Sequence, residues 1–237
     1  MRKIACSLIA LSVAACANSN AHDARDSVRG EAMSADQLLQ TDFNRTVTMA
    51  MRDNLESIYR LQEKLYKRNP NQIKRGGFKT IEEAMESGKK SISNAQPPVG
   101  LEGLSDTMVL TVALDPLYDG DRVGAFIYGL ADMILTSHND KSRFYISDVL
   151  DAQHIYNAAR NVEIAAWLLN DRKDSSGKPL LLANEISDEG INISFEREFG
   201  QLVGRLDLIA NLLDENLRRV GISYLQNLLF FTFLPVR

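Results

Sequence analysis

Apolar residues recur at steps of three and four along much of the chain, the spacing that places them on one face of a helix. The pattern predicts a first long helix after Ser34, a second over residues 147–170 and a third over residues 194–219. Shorter apolar runs lie between them and fit the same helical context. The sequence therefore predicts an all-α protein, a single-domain multi-helix bundle in which residues 34–237 form the helical domain.

The ends of the first long helix are marked by polar residues and a proline. Ser34 and Gln37 fit a capping box, in which the two side chains satisfy free backbone N–H groups of the first turn. Asn69 and Pro70 predict its end, because proline lacks an N–H donor and restricts the residue before it. Its predicted buried face consists of Val47, Met51, Leu55, Ile58, Leu61 and Leu65.

Similar signals delimit the shorter helices. Thr80 and Glu83 form a second capping box, which opens a short helix that Gly88 is predicted to close, with a surface loop after it. Ser105 is the predicted cap of the next helix, and Ser147 is the predicted cap of the helix over residues 147–170.

Residues 123–135 are apolar on almost every side, which is typical of a helix buried at the centre of a bundle. The segment is too short to cross a bilayer, which requires about 20 residues. Gly124 and Gly129 are predicted to let neighbouring backbones approach closely. Gly200 and Gly204 are predicted to do the same in the last long helix.

The last segment, residues 222–237, contains the apolar run LLFFTFL. Exposed, this run would favour aggregation. We therefore expect it to pack against the bundle as a terminal helix. The alternative is that it contacts the bilayer or a protein partner.

The beginning of the chain has the three parts of a secretory signal. Basic Arg2 and Lys3 precede an apolar stretch at residues 4–13, and the small residues Ala14 and Ala15 come immediately before Cys16. The sequence VAAC at residues 13–16 resembles the lipobox of bacterial lipoproteins.

This resemblance implies that residues 1–15 are a cleaved signal peptide and that Cys16 carries a diacylglycerol and an N-linked acyl chain. Residues 16–33 would then be the lipidated cysteine and a flexible tether, in keeping with their small and polar composition. Ala17 follows the cysteine, where an aspartate would be typical of inner-membrane retention. The resemblance thus implies a Gram-negative outer-membrane lipoprotein that faces the periplasm.

Composition narrows the chemistry of the remaining domain. The chain has two cysteines, Cys6 in the signal segment and Cys16 at the lipidation site, so the mature domain would have no free thiol for a disulfide, metal site or nucleophile. The full chain has 27 lysines and arginines against 31 acidic residues and shows no basic stripe, so we expect no nucleic-acid partner. No metal and no non-covalent cofactor are expected.

One set of residues resembles a catalytic or metal-binding constellation, because carboxylates and imidazoles occur together in residues 115–154. Asp151 and His154 in particular have the spacing that places two side chains on one helix face. Turn and cap formation is the alternative interpretation of these residues. The set consists of Asp115, Asp119, Asp121, His138, Asp140, Asp148, Asp151 and His154.

Asp132 interrupts the apolar helix and requires a partner if it is buried. Arg160 is the predicted partner, if the two central helices pair. Together with His154 and Asn157, these residues are predicted to form a structural polar network that links helices.

These observations favour a non-catalytic protein, because none of the common hydrolase, nucleotide-binding or zinc-protease motifs occurs in the chain. The predicted function is that of a scaffold, assembly or accessory factor in envelope biogenesis or secretion, with the outer membrane and an envelope protein as partners. One alternative is a carrier of lipids or hydrophobic ligands, which needs an open cavity. The other is a metal-assisted hydrolase, which needs the Asp and His residues to converge.

Overall fold

Seven helices and one two-stranded hairpin make up the part of the chain that the computed structural model describes, residues 40–187, 190–213 and 235–236. These residues belong to one compact unit, and the predicted all-α class is confirmed. The helices are α1 Asp42–Arg68, α2 Pro70–Arg75, α3 Ile81–Ser93, α4 Asp106–Ala113, α5 Arg122–Ser137, α6 Ala152–Asp171 and α7 Ser194–Leu213. The antiparallel hairpin pairs β1 Glu185–Ser187 with β2 Gly190–Asn192.

Helix α1 begins at a threonine cap and ends where the sequence predicts. The Thr41 hydroxyl accepts a hydrogen bond from Asn44 N at 3.1 Å. At the other end, Asn69 donates its backbone N–H to Leu65 O, and Pro70 opens α2 in a new direction. The prediction that Ser34 caps this helix is wrong, because Thr41 caps it, and Ser34 itself lies outside the described residues.

Helix α5 lies at the centre of the bundle and contacts α1, α3, α4 and α6. Thirteen of its sixteen residues are buried, which confirms the predicted central position. Gly129 allows the closest approach, because a Cβ atom there would lie 2.9 Å from Leu110 N and 3.2 Å from Asp106 O, both in the backbone of α4. The predicted close approach at Gly129 is thus confirmed.

The same prediction is wrong for Gly200 and Gly204. A Cβ atom at either position would have no neighbouring atom within 4 Å, since both glycines face outwards on α7. The apolar residues on the other face of α7 make its contacts with the bundle.

Helix α3 begins at the predicted Thr80 cap but continues past Gly88 to Ser93, so the predicted stop is wrong. Gly88 lies against the side chain of Gln62 on α1, and an added Cβ atom would come within 2.1 Å of Gln62 Nε2. The absence of a side chain at Gly88 lets α3 pack against Gln62 of α1, and Gly88 itself remains within the helix.

Two predicted caps are also corrected. Ser105 makes no side-chain hydrogen bond to the first turn of α4, and the Asp106 carboxylate accepts the Thr107 N–H at 2.6 Å. Helix α6 begins after Asp151, five residues later than the sequence suggests, because Asp151 and not Ser147 caps its first turn.

The end of the chain returns to the bundle. Asn157 Nδ2 donates to Pro235 O at 2.9 Å, and Val236 is buried. The predicted terminal helix and the last turn of the predicted helix over 194–219 lie outside the described residues. Within the described ranges, no helix is both long enough and apolar enough to cross a membrane.

The contact at Gly129 yields a test of the packing. We expect Gly129→Ala to lower the free energy of unfolding by about 1–3 kcal/mol, because the methyl group would push against the backbone of α4. The matched control is Gly200→Ala on the open face of α7, which should raise stability by up to about 1 kcal/mol through helix propensity. Urea unfolding followed by circular dichroism measures both. If both variants raised the free energy of unfolding by the same amount, α4 and α5 would not be in contact at Gly129.

Candidate functional site

The predicted Asp and His constellation does not come together. Asp121 precedes the first residue of α5 and His138 follows its last, so a helix of sixteen residues, about 24 Å long, separates them. Among the described residues, no group of three or more His, Asp or Glu side chains is arranged to hold a metal ion. The convergence that a metal-assisted hydrolase would need at these residues is therefore not present.

Asp121 caps the N-terminus of α5. Its Oδ1 atom accepts the N–H groups of Val123 and Gly124, both at 3.1 Å, and its Oδ2 atom accepts the Tyr66 hydroxyl at 2.6 Å. Burial raises the pKa of the Asp121 carboxyl. Burial, and then the negative charge of Asp121, raise the pKa of Tyr66, which keeps its hydroxyl protonated as the donor.

The acidic turn before α5 is held by a buried arginine that the sequence analysis did not single out. The Arg122 guanidinium donates to the carbonyl oxygens of Ala113, Asp115, Pro116 and Tyr118, and so ties the end of α4 and the turn that follows it to the start of α5. The signal for this role is the position of a lone arginine at the start of an apolar helix, immediately after a tight turn.

The other two aspartates of this turn have separate contacts. The Asp115 side chain accepts Leu117 N at 2.8 Å, which stabilises the turn itself. Asp119 is exposed, and its backbone oxygen accepts a hydrogen bond from Arg75 Nη1 at 3.1 Å.

His138 lies at the opposite end of α5 and is almost fully buried, with 2% of its surface exposed. Its Nδ1 atom lies 2.9 Å from Ile134 O, so the proton is on Nδ1 and the N–H group donates a hydrogen bond to the carbonyl oxygen. The Phe144 ring packs beside the imidazole at a centroid distance of 5.7 Å. Burial lowers the pKa of His138 to about 4, so the imidazole is neutral at pH 7.

The remaining predicted site residues bind local partners between α5 and α6. Asp140 accepts the Thr136 hydroxyl at 3.0 Å. Asp148 accepts Tyr145 N and pairs with Lys141 at 2.5 Å, and this lysine lowers the pKa of the Asp148 carboxyl. These contacts close the turns that connect the two helices.

At the start of α6, Asp151 Oδ1 accepts the backbone N–H groups of Gln153 and His154 at 2.7 and 3.3 Å. The Asp151–His154 contact therefore runs through the backbone of His154 and not through its imidazole. It is a helix cap, which was the structural alternative for this pair.

Asp132 and Arg160, which the sequence predicts to pair, each bind a residue of another helix. Asp132 accepts the backbone N–H of Asp106 at 2.7 Å and so joins α5 to α4. Arg160 faces α7, where its Nη2 atom binds both carboxylate oxygens of Asp207 at 2.7 and 2.6 Å. Asn157 belongs to neither contact, because its amide binds Pro235 O.

A polar seam between α1 and α7 was missed by the sequence analysis. Arg205 on α7 donates to Asn54 Oδ1 and Ser57 Oγ on α1, both of which are buried. Beside them, Arg60 Nε binds Glu198 Oε2 at 3.0 Å. The available signal was that Asn54 continues the apolar stripe of α1, midway between Met51 and Ile58.

A cavity of about 490 Å³ opens beside the N-terminus of α5, and we call it the α3–α5 cavity. One wall is α3 with the connection that follows it, and the other is the end of α2 with the turn before α5. Its walls are mainly aromatic, proline and glycine residues, and three lining residues carry charge. The charged ones are Arg75, Lys90 and Asp121, and the aromatic ones are Tyr66, Phe78 and Tyr118.

Two of the glycines that line this cavity lie in close contact with neighbouring side chains. At Gly76 an added Cβ atom would strike the Phe78 ring at 2.5 Å, and at Gly124 it would strike Asp121 Oδ2 at 2.5 Å. The sequence predicts a surface loop after α3, but it gives no sign that α3 lies opposite the acidic turn. Only the fold brings these segments together.

Comparison with known proteins gives no further guide, since no family model matches the chain and no similar protein was found among curated sequences or solved structures.

The burial of His138 predicts an acid-sensitive fold. The folded protein binds this proton less readily than the unfolded chain, in which the pKa is near 6.5, so the free energy of unfolding should fall as the pH drops from about 6.5 to about 4. The loss attributable to His138 is about 3 kcal/mol.

Chemical denaturation of the wild type and of His138→Gln at pH 7 and pH 4.5 measures this contribution, since other titrating groups are common to both proteins. His154→Gln is the control for the substitution itself, because it replaces a half-buried imidazole with the same side chain and the α6 cap uses only the backbone of His154. Parallel pH profiles for wild type and His138→Gln would contradict the assignment.

Proposed function

We propose that this protein is a lipoprotein of the Gram-negative outer membrane, anchored through acyl chains on Cys16 and facing the periplasm. The observation that carries this part is the VAAC sequence at residues 13–16, which follows a basic start and a short apolar stretch. Two or three acyl chains would hold the protein permanently at the membrane, since each buried CH₂ group contributes about 0.8 kcal/mol.

We propose further that the helical domain is a non-catalytic scaffold, assembly or accessory factor in envelope biogenesis or secretion. Support comes from the structural roles of its polar residues. Asp121, His138 and Asp151 each satisfy a helix end, and the polar side chains between α1 and α7 form hydrogen bonds with one another.

A surface for a protein partner is available on the α5–α6 connection. Ile146 and Val149 are 73% and 83% exposed, while Phe144 of the same connection is buried and fixes it to the core. Two apolar side chains held out from an anchored loop suit contact with a partner protein.

The anchor is tested by Cys16→Ser, with Cys6→Ser as the matched control because Cys6 would leave with the signal peptide. We expect the Cys16→Ser protein to lose its acyl chains and to leave the outer-membrane fraction, and the Cys6→Ser protein to remain there. Membrane fractionation and mass spectrometry of the N-terminal peptide measure both properties. If Cys16→Ser protein is still cleaved and retained in the outer membrane, Cys16 is not the anchor.

The scaffold role is tested by photo-crosslinking in intact cells, with a photoreactive residue at Val149 and the control at Ser175 in an exposed polar loop. We expect Val149 to give a discrete crosslinked species containing one envelope protein, identified by mass spectrometry, and Ser175 to give none. The same background from both positions would argue against a partner on this surface.

A second candidate function is a carrier of lipids or hydrophobic ligands. The α3–α5 cavity favours it, because its volume lies in the range of about 300–1,000 Å³ that is typical of small-molecule sites. Of α5, the first turn lines the cavity, at Gly124, while the middle of that helix is packed.

A further inference from the structure

The walls of the α3–α5 cavity suit an apolar ligand. Phe78 and Tyr118 contribute rings, and Pro97, Pro98 and Val99 contribute aliphatic surface. Val99 is 92% exposed. A ligand that covers these side chains would remove apolar surface from water, which is the main favourable term in small-molecule binding.

The Asp121 carboxylate would attract a cationic ligand only weakly. Both of its carboxylate oxygens already accept hydrogen bonds, from the first turn of α5 and from Tyr66. The positive end of the α5 dipole also lies directly against it. A cationic ligand would have to compete with three internal donors for this carboxylate.

The other two charged lining residues are cations, and no carboxylate of the described residues pairs with either of them. Arg75 donates one hydrogen bond to a backbone oxygen, that of Asp119, and neither Arg75 nor Lys90 makes an ion pair with any described residue. Both are exposed. Arg75 lies at the end of α2 and Lys90 on α3, so they approach the cavity from opposite walls.

We propose that the α3–α5 cavity binds a small amphiphilic anion, such as a fatty acid or a single-chain phosphate ester. Its apolar body lies against Phe78, Tyr118 and Val99, and its carboxylate or phosphate group binds Arg75 and Lys90 through charge-assisted hydrogen bonds. This inference rests on the carrier function and names its ligand class.

The binding is tested by photoaffinity labelling of the full chain in its membrane with a diazirine-bearing fatty acid. Mass spectrometry of the digested protein locates the label, which separates binding in the cavity from partition into lipid. We expect labelling within residues 75–99 and 118–124.

Competitors with a common alkyl chain distinguish the ligand classes. Dodecanoate and dodecyl phosphate should suppress cavity labelling, and their relative potency separates a free fatty acid from a phosphate ester as the source. Dodecanol and dodecyltrimethylammonium should be at least about tenfold weaker, because they lack the anionic group.

Two pairs of variants locate the contacts. The double variant with Arg75→Gln and Lys90→Gln should reduce cavity labelling about tenfold. Lys74→Gln with Lys89→Gln removes the same charge from residues that do not line the cavity, and should leave labelling unchanged.

Two substitutions that add bulk without changing charge test the position of the ligand separately. Ser87→Trp should fill the cavity mouth and abolish labelling there, and Ser93→Trp on the same helix, outside the cavity, should not. Both serines are exposed, so either variant is expected to fold, as circular dichroism would verify.

Two results would overturn the proposal in different ways. If dodecanol or the cationic competitor is as effective as dodecanoate, the anion specificity is wrong while a carrier function stands. If no probe labels the cavity in the wild type, or if Ser87→Trp has no effect on labelling there, both the ligand class and the carrier function fail.

Discussion

A helix that is buried on nearly every side must have its two ends satisfied inside the protein, and α5 imposes this requirement on the rest of the structure. Each unsatisfied backbone group would cost about 1–3 kcal/mol. At its N-terminus Asp121 accepts two backbone N–H groups, and at its C-terminus the neutral imidazole of His138 donates to Ile134 O. Two members of the set that resembles a catalytic site in the sequence, Asp121 and His138, are thus placed at opposite ends of α5 by the groups they satisfy there.

The cavity follows from the same arrangement. Asp121 fixes Tyr66 of α1 to the start of α5, and Arg122 fixes the preceding turn to the end of α4. Helix α3 lies across from this corner, and the space between them is the α3–α5 cavity. A rigid wall next to an open space is the arrangement that a preformed ligand site requires.

Sequence patterns predicted what depends on one helix at a time, such as the burial of α5. They failed where the outcome depends on which helices touch. Gly88 has the composition of a helix stop, but its contact with Gln62 keeps it within α3. Ser147, Asp148 and Asp151 are all suitable caps for α6, and the ion pair that Asp148 makes with Lys141 leaves the position to Asp151. The α3–α5 cavity was beyond prediction for the same reason, since its walls come from segments that are distant in sequence.

If the fold depends on α5 and its capped ends, α5 should be the last helix to open. Native-state hydrogen exchange of the full chain, measured by mass spectrometry across a series of urea concentrations, tests this dependence. We expect amides in the middle of α5 to exchange only through global unfolding, and amides of α3 to exchange through smaller openings because α3 borders the open cavity. If α5 exchanges at a lower free energy than α3 or α7, its capped ends are not what holds the bundle together.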